Sequence, residues 1–405
     1  MKPVFLKGMP AFFCLAFFIP STYLTSVFGQ TPVPQQHSQI PRELTLAQAE
    51  QLLLERNLLI ASTKYQIDAA RAAKLIASFK PNPVLTLGAE QLRLRDGLFH
   101  NLVHAGNDVS AVTTYTVRVD KTIERGQKRE IRTELAGLQL EASEAQMLDA
   151  IRNQLFQLRS AFATAALARE SLLLAETTLQ QYEQTEKLTE IRVEGGDLAG
   201  VEIYRARAGL IQYQQAVQQA RTSYQQAARD ILNSLGATTD QVVNGLVAEN
   251  LHPDVPLAGP AAHPDDIDPL RDAPLKITLA FDDRPLGLSL EELRKSALEN
   301  RPDVLAARRL FEASGKSIAL AQAQKKRDIS VGMEFQRVGT DPSVGVVVSI
   351  PLLRYNNHEA EIVQAQSVAK STEAIVKQVE TQAITDVEKA YQSYQSARRL
   401  LDLFN

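Results

Sequence analysis

The stretch LTLAQAEQLLLERN at residues 44–57 returns as LSLEELRKSALENR at residues 288–301. The likeness continues without a gap at a constant offset of 244, so that residues 44–90 align with 288–334. Glu55 faces Glu299, Ala69 faces Ala313, and the copies close on Gly88-Ala89-Glu90 and Gly332-Met333-Glu334. In each copy a helical pattern runs into a short alternating stretch and then into a much longer helical one. A supersecondary unit used twice restricts the fold more than any single motif in the chain does.

Working outward, Thr45 is a predicted helix cap, with Gln48 completing a capping box. The helical pattern extends to about Phe79, where Pro81 and Pro83 end it. Two strands follow, at 84–91 and 112–123, joined by a long polar link over about 94–110. In the second strand Tyr115, Val117 and Val119 alternate with Thr114, Thr116, Arg118 and Asp120. The second copy repeats the pair. Ile329, Val331, Met333 and Phe335 alternate with Asp328, Ser330, Gly332, Glu334 and Gln336. A tight turn is expected through Gly339-Thr340-Asp341-Pro342. Val344, Val346, Val348 and Ile350 then alternate with Gly345, Val347 and Ser349.

Such strands suit a soluble sheet with one wet face or a membrane barrel wall, apolar outward and polar toward a lumen. The second reading makes Glu90, Arg118, Glu334 and Gln336 lumen-facing and Val117, Val331, Phe335, Val346 and Val348 lipid-facing. Four strands cannot close a barrel, which needs about eight, so a membrane wall demands an oligomer.

From about Gln127 to Ile191 there is no proline, which predicts a helix of roughly 100 Å. Leu158, Ala165, Leu172 and Leu179 recur every seven residues. Gly195-Gly196-Asp197 breaks the run. The return helix carries a coiled-coil seam of Ile203, Ala206, Leu210, Tyr213, Val217, Ala220, Tyr224, Ala227 and Ile231. Residues 237–286 are Pro-, Asp- and Gly-rich and read as an irregular connector, with a short strand at 276–281. A last long helix starts near Asn357, with Val379, Ala383, Val387, Ala390, Tyr394, Ala397 and Leu401 at seam spacing. By the logic of the first copy a turn and a return helix should follow, so the chain is read as C-terminally incomplete. The expected divisions are a 1–29 leader, a 30–43 arm, a 44–236 first repeat (hairpin 84–123, helical hairpin 127–235), the 237–286 connector and a 287–405 second repeat (hairpin 328–352).

Composition agrees with this architecture. The 405 residues contain no Trp and only 6% aromatics, which suits long helices with thin Ala-rich seams. Net charge is −3 with no basic stripe, which argues against nucleic acid. Lys2, Lys7, the apolar run MPAFFCLAFF at 9–18 and Val27-Phe28-Gly29 read as a secretory signal peptide cleaved before Gln30. Cys14, inside that run, is the only cysteine, and is not read as a lipidation site. Residues 30–43 (QTPVPQQHSQIPRE) read as an extended arm.

At this point the chain resembles the TolC family of outer-membrane efflux proteins over nearly all of residues 44–405. The resemblance is carried by the two helix openings with Glu55-Arg56-Asn57 and Glu299-Asn300-Arg301-Pro302. It is carried also by the strand-to-helix passages VDKTIERGQKR at 119–129, where Gln127 replaces a glycine, and SIPLLRYNN at 349–357. The third element is the helical tip RVEGGDLA at 192–199, leading to Tyr204-Arg205-Ala206-Arg207. It implies a mainly α fold with a small β part: long coiled-coil helical hairpins and four amphipathic strands per chain, in two pseudo-repeats. By the same resemblance three chains form a 12-stranded outer-membrane β-barrel on a periplasmic helical tunnel (an α-barrel). This homotrimer is a passive duct exporting small solutes, drugs or metal cations. A periplasmic adaptor (membrane fusion) protein docks at the tip Gly195, Gly196, Asp197 and Leu198. An inner-membrane pump of the resistance-nodulation-division type supplies the energy. The gate lies largely on the second helical hairpin, beyond Asn405. The Glu-containing strands and the Gly-Gln-Lys-Arg passage are most similar to the heavy-metal (CzcC-like) branch, whose members often carry an N-terminal lipidated cysteine absent here.

No catalytic residue, cofactor site or metal site is expected. The chain has no Gly-rich phosphate loop, Cys/His cluster or nucleophile elbow. His100 and His104 are four apart in a loop, His37, His252 and His263 lie in Pro-rich segments, and His358 stands alone. Asp265-Asp266 and Asp282-Asp283 read as solvated linker. The competing readings are a periplasmic adaptor, which lacks the duplicated hairpin-plus-helix unit, and a coiled-coil scaffold, which would not need two hairpins with aliphatic outer faces.

Overall fold

The computed structural model describes residues 40–90, 114–239, 242, 275–279, 284–339, 341–352 and 354–404. The leader, the first part of the arm, the 94–110 link with His100 and His104, and most of the connector lie outside the described residues. The elements are β1 (Glu43–Thr45), α1 (Leu46–Arg56), α2 (Leu58–Ser78), β2 (Val84–Glu90), β3 (Thr114–Ile123), α3 (Lys128–Glu194) and α4 (Val201–Ser234) in the first half. The second half has β4 (Lys276–Thr278), α5 (Leu290–Asn300), α6 (Pro302–Gln324), β5 (Ile329–Val338), β6 (Asp341–Ser349) and α7 (Glu359–Phe404).

Each repeat opens on a capping box, Thr45 with Gln48 and Ser289 with Glu292, which satisfies two of the helix's orphan donors reciprocally. The single helix expected from there to about Phe79 is in fact two. Asn57 is extended, at φ −62° and ψ 121°, and its side chain caps α2 through Leu59 and Ile60. Its amide also donates to Gln154 on α3 at 2.9 Å and to the Ser234 carbonyl at 2.8 Å. All four bonding positions of this buried amide are used, and they tie together α1, α2, α3 and the end of α4. In the second repeat Arg301, 244 residues on, occupies the same break before Pro302. It reaches Asp303 at 2.7 Å and Asp386 on α7 at 3.2 Å. The break escaped the sequence reading because the apolar spacing runs straight across it.

The four helices α2, α3, α6 and α7 lie side by side in that order, with α4 also on α3 and α5 also on α7. The strands follow the same order, β2-β3-β5-β6, all antiparallel. Every strand therefore continues from or into a neighbouring helix of the wall, and both layers end in open edges. Ion pairs lace the Ala-rich seams: Arg309–Glu141 and Lys316–Glu134 between α6 and α3, Arg308–Glu380 between α6 and α7. Such exposed pairs add little stability and serve to set register.

The main core joins α1, α3, α4 and the small β1–β4 sheet. Leu44, Leu53, Leu158, Phe162, Tyr224, Ile231 and Leu275 are all almost fully buried there, and the Tyr224 hydroxyl donates to the Leu275 carbonyl at 2.9 Å. Two expectations are corrected by this pairing. Glu43, placed in the arm, is the first residue of β1, and the connector's strand is three residues long, parallel to β1.

The heptad seam of α4 is the face it buries: all nine seam residues are buried or half-buried, and Arg207 reaches Glu186 and Glu190 across it. On α7 the seam is covered at Val379, Ala383, Val387 and Tyr394. Ala390, Ala397 and Leu401 are exposed, because no described element packs opposite them.

Both long helices start from a left-handed residue, Gln127 at φ 58° and His358 at φ 63°. That conformation costs a non-glycine residue about 1–2 kcal/mol. Gln127→Gly is expected to recover up to about 1 kcal/mol, since glycine's looser unfolded chain offsets part of the gain. Chemical denaturation of the purified variant checks it, and a destabilised variant contradicts it.

Candidate functional site

The four-stranded sheet has two chemically opposite faces, and the register decides which residue lies on which. Thr86, Arg118, Glu334 and Gly345 are cross-strand neighbours in one row, and Gly88, Thr116, Gln336 and Ser343 form the next. The row at the far end is Glu90, Thr114, Val338 and Asp341. Glu90, Arg118, Glu334 and Gln336 thus share one face. On the other face Leu87, Val117, Phe335 and Val344 form one row, Leu85, Val119, Met333 and Val346 another, with Val331 beside Val348. Val117, Val331, Phe335, Val346 and Val348 thus share that face.

Exposure is inverted relative to a soluble sheet. Leu87 is 70% exposed, Val344 73% and Val346 70%, while Arg118, Asp120, Glu334 and Gln336 are half-buried. Exposed apolar rows of this size mark a surface made for an apolar environment. The charged exceptions on that face, Lys121 and Arg337, sit toward the two ends of the strands. The edges are open: β2 and β6 have one partner each, which leaves a row of unpaired backbone groups on both sides.

The polar face is organised around Arg118. Its guanidinium donates twice to Asp120, at 2.9 and 2.7 Å, and lies 3.9 Å from Glu334. Gly332, cross-strand from Asp120, makes room for this. A Cβ there would collide with Asp120 Oδ1 and lie 3.2 Å from Arg118 Nε, whereas at Gly88 it would meet only Thr116 Cβ at 3.6 Å. The two glycines occupy matching positions in the repeat, yet only at Gly332 would a side chain displace the ion pair. Gly332→Ala is expected to break the Arg118–Asp120 pair and destabilise the folded protein by about 1–3 kcal/mol, an overpacking cost. Gly88→Ala should be near neutral. Unfolding temperature of the two variants in detergent separates them, and equal values would contradict the assignment.

The hairpin turn is shorter than expected. Asp341 pairs with Val338 and Pro342 with Arg337, so both belong to β6, and Gly339 carries the positive φ of 60°. Pro342 is tolerated because it stands at the very start of β6, beside the turn.

The helical tip forms at the end of α3. Gly196 takes φ 83°, its N–H bonds the Val193 carbonyl, and the Asp197 N–H bonds the Arg192 carbonyl. This is a Schellman closure. Gly195, Gly196 and Asp197 are exposed and Leu198 is half-buried. Around them Leu188, Ile191, Val201 and Tyr204 expose apolar side chains. Higher up, the rings of Tyr182 and Tyr213 stack at 3.7 Å across the hairpin.

Where the repeats meet, Asp303 sits between Arg301 and Arg152. Burial by itself pushes its carboxyl up, but hydrogen bonding and charge from Arg301, the Val304 N–H and Arg152 hold it below the ordinary aspartate value. A depressed folded-state pKa contributes stability above the unfolded value, about 3.9, and that stability is lost as pH falls through the folded value. The stability difference between the wild type and Asp303→Asn should therefore be largest near neutrality and shrink below about pH 4. Denaturation at several pH values checks this, and a pH-independent difference contradicts it.

Among the described residues no group of three or more His, Cys, Asp or Glu could hold a metal ion, and no helix is long and apolar enough to cross a membrane. His358 bonds its neighbour Glu361 at 3.2 Å.

The family model "Outer membrane efflux protein" matches residues 49–237 and 293–405. No curated protein sequence matches the chain. Among solved structures, the outer-membrane channel OprN is 20% identical, with 89% of this chain and 76% of that one covered at a TM-score of 0.64. The outer membrane protein VceC of Vibrio cholerae is 16% identical, covering 88% and 80% at a TM-score of 0.63. The CmeC outer membrane channel of Campylobacter jejuni is 13% identical, covering 88% and 75% at 0.60. At these identities the structures share the fold.

Proposed function

The chain belongs to the outer membrane efflux protein family, and from that premise we propose that three copies form one continuous duct through the outer membrane and periplasm. It is an efflux channel rather than an enzyme. The observation that carries the finer reading is the sheet with inverted exposure and two open edges. Four strands are too few to close. Pairing β6 of one copy with β2 of the next removes every edge and gives 12 strands. The row of Arg118, Glu334 and Thr86 then lines the lumen, and the row of Val117, Phe335 and Val344 faces hydrocarbon. The open edges α2 and α7 of the helical wall meet in the same operation and extend the duct below.

In this duct no bond is made or broken. The barrel removes the hydrocarbon barrier to polar solutes, and the solute class, drugs or metal cations, follows the pump. The exposed apolar collar around Gly195, Gly196, Asp197 and Leu198 fits docking by a periplasmic adaptor, which couples the duct to an inner-membrane pump of the resistance-nodulation-division type. Opening would proceed by coiled-coil helices sliding against each other. The test pairs planar-bilayer conductance of the purified protein with cellular efflux. Leu198→Asp should abolish efflux and leave conductance intact. Absence of conductance in the wild type sinks the duct; normal efflux with Leu198→Asp sinks the docking site.

A further inference from the structure

Where β3 turns into α3, a cleft of about 400 Å³ opens beside the apolar face of the sheet, lined by Lys80, Lys121, Ile123, Glu124, Arg129 and Glu130. Its acidic groups already have cationic partners. Glu124 accepts from Arg132 at 2.9 Å, and Glu130 from Arg129 at 2.6 Å. Lys128, also on the lining, is bound to Asp328 at 2.8 Å. Lys80 and Lys121 are exposed; Lys80 acts on Glu130 through space, beside the Arg129 that already hydrogen-bonds that carboxylate. The lining therefore carries more cations (Lys80, Lys121, Lys128 and Arg129) than anions (Glu124 and Glu130), and its two exposed ammonium groups are Lys80 and Lys121.

Their position matters as much as their charge. Lys121 pairs with Val331, so it projects from the face that carries Val117, Val119 and Val346, at the end nearest the helices. Lys80 stands between the end of α2 and the start of β2, at the same level. Ile123 and Phe79, both about half exposed, flank the site with apolar surface. A lysine on a lipid-facing wall is tolerated near the interface, where its ammonium can reach the headgroups.

We propose that this cleft binds the phosphate headgroup of an anionic phospholipid in the periplasm-facing leaflet, with the acyl chains lying along Val119 and Val117. The proposal rests on the reading of the apolar face as lipid-facing. It names a ligand for a rim that channel function alone leaves unassigned. Charge complementarity selects a phosphate, and continuity of the cleft with the apolar rows selects one that carries acyl chains rather than a free anion.

The test is lipid retention. Full-length protein, purified as an assembled membrane species, is placed in nanodiscs of phosphatidylglycerol or of phosphatidylcholine, released into mild detergent and weighed by native mass spectrometry. The wild type should retain phosphatidylglycerol in preference to phosphatidylcholine. The double variant Lys80→Gln/Lys121→Gln should bind it roughly 30-fold more weakly, on a scale of about 1 kcal/mol per lysine at an anionic surface. The control Lys64→Gln/Lys187→Gln, which removes the same charge elsewhere, should behave as wild type, and inorganic phosphate should not displace the lipid. Equal retention in the double variant, no preference for the anionic lipid, or displacement by phosphate alone would each overturn the proposal while the assembled species stays intact. A protein that never enters the outer membrane would overturn the lipid-facing reading itself, together with this site.

Discussion

Val117→Arg is expected to eliminate the assembled channel from the outer membrane, while Thr116→Arg, one residue away, leaves it in place. Val117 lies mid-strand in the row with Leu87, Phe335 and Val344. In the proposed barrel an arginine in this row meets hydrocarbon, at a cost of roughly 2–4 kcal/mol per copy near the bilayer midplane. The cost recurs in every subunit, which is a large share of the marginal stability of a folded protein. Thr116 lies beside Gly88 and Gln336 on the polar face, where a guanidinium stays in water. Outer-membrane fractionation of the two variants reads the result. If the sheet were a soluble one with its polar face to solvent, Val117→Arg would remain folded in the periplasm, and neither variant would depend on a membrane.

The second large effect is at the other end of the wall. Phe162 is fully buried where α3 meets α1, α4 and the β1–β4 sheet. Phe162→Ala removes most of the ring and leaves a cavity that the flanking helices cannot close, a loss of about 3–5 kcal/mol. The long helices are mostly Ala-seamed and contribute thin burial elsewhere, so this core is what holds α4 and α1 against α3. Thermal unfolding followed by helical circular dichroism should show an early, separate loss of part of the helical signal. An unchanged curve would mean that the seam and ion pairs suffice without the core. Functionally, an α4 detached at its C-terminal end would no longer hold the Gly195–Gly196 tip in place, and efflux should fall even where the barrel still inserts.

Much of this architecture is legible in the chain because period and repeat are local signals. Val117, Val119, Met333 and Phe335 announce strands by alternation, and the nine seam residues from Ile203 to Ile231 announce the buried face of α4. The duplication supplies the pairing of units that neither signal provides alone. What escaped was set by contacts distant in sequence. The parallel pairing of Glu43–Thr45 with Lys276–Thr278 involves two three-residue strands on either side of two long helices, and no local pattern marks it. The breaks at Asn57 and Arg301 depend on side chains that reach Gln154 and Asp386. An asparagine ahead of Leu58 was the available capping signal, masked by continuous helical spacing.

The faces of the sheet were legible, but not what organises the polar one. Arg118 and Glu334 stand out as charges on alternating strands, yet their partner Asp120 and the space left by Gly332 emerge only once register is known. Gly88 and Gly332 look equivalent in the repeat. The structure separates them, because only Gly332 faces an aspartate that needs its missing side chain. The tip glycines were legible as a turn, and the Schellman bonds from Gly196 and Asp197 explain why that turn needs a glycine at the second position.

The most direct test of the central claim is the native mass of the protein extracted from the outer-membrane fraction in mild detergent. The account predicts a species of three times the denatured chain mass that dissociates on heating. A monomer recovered without detergent from the periplasm would contradict it, because an unpaired four-stranded sheet would then have to carry its open edges and exposed aliphatic rows in water.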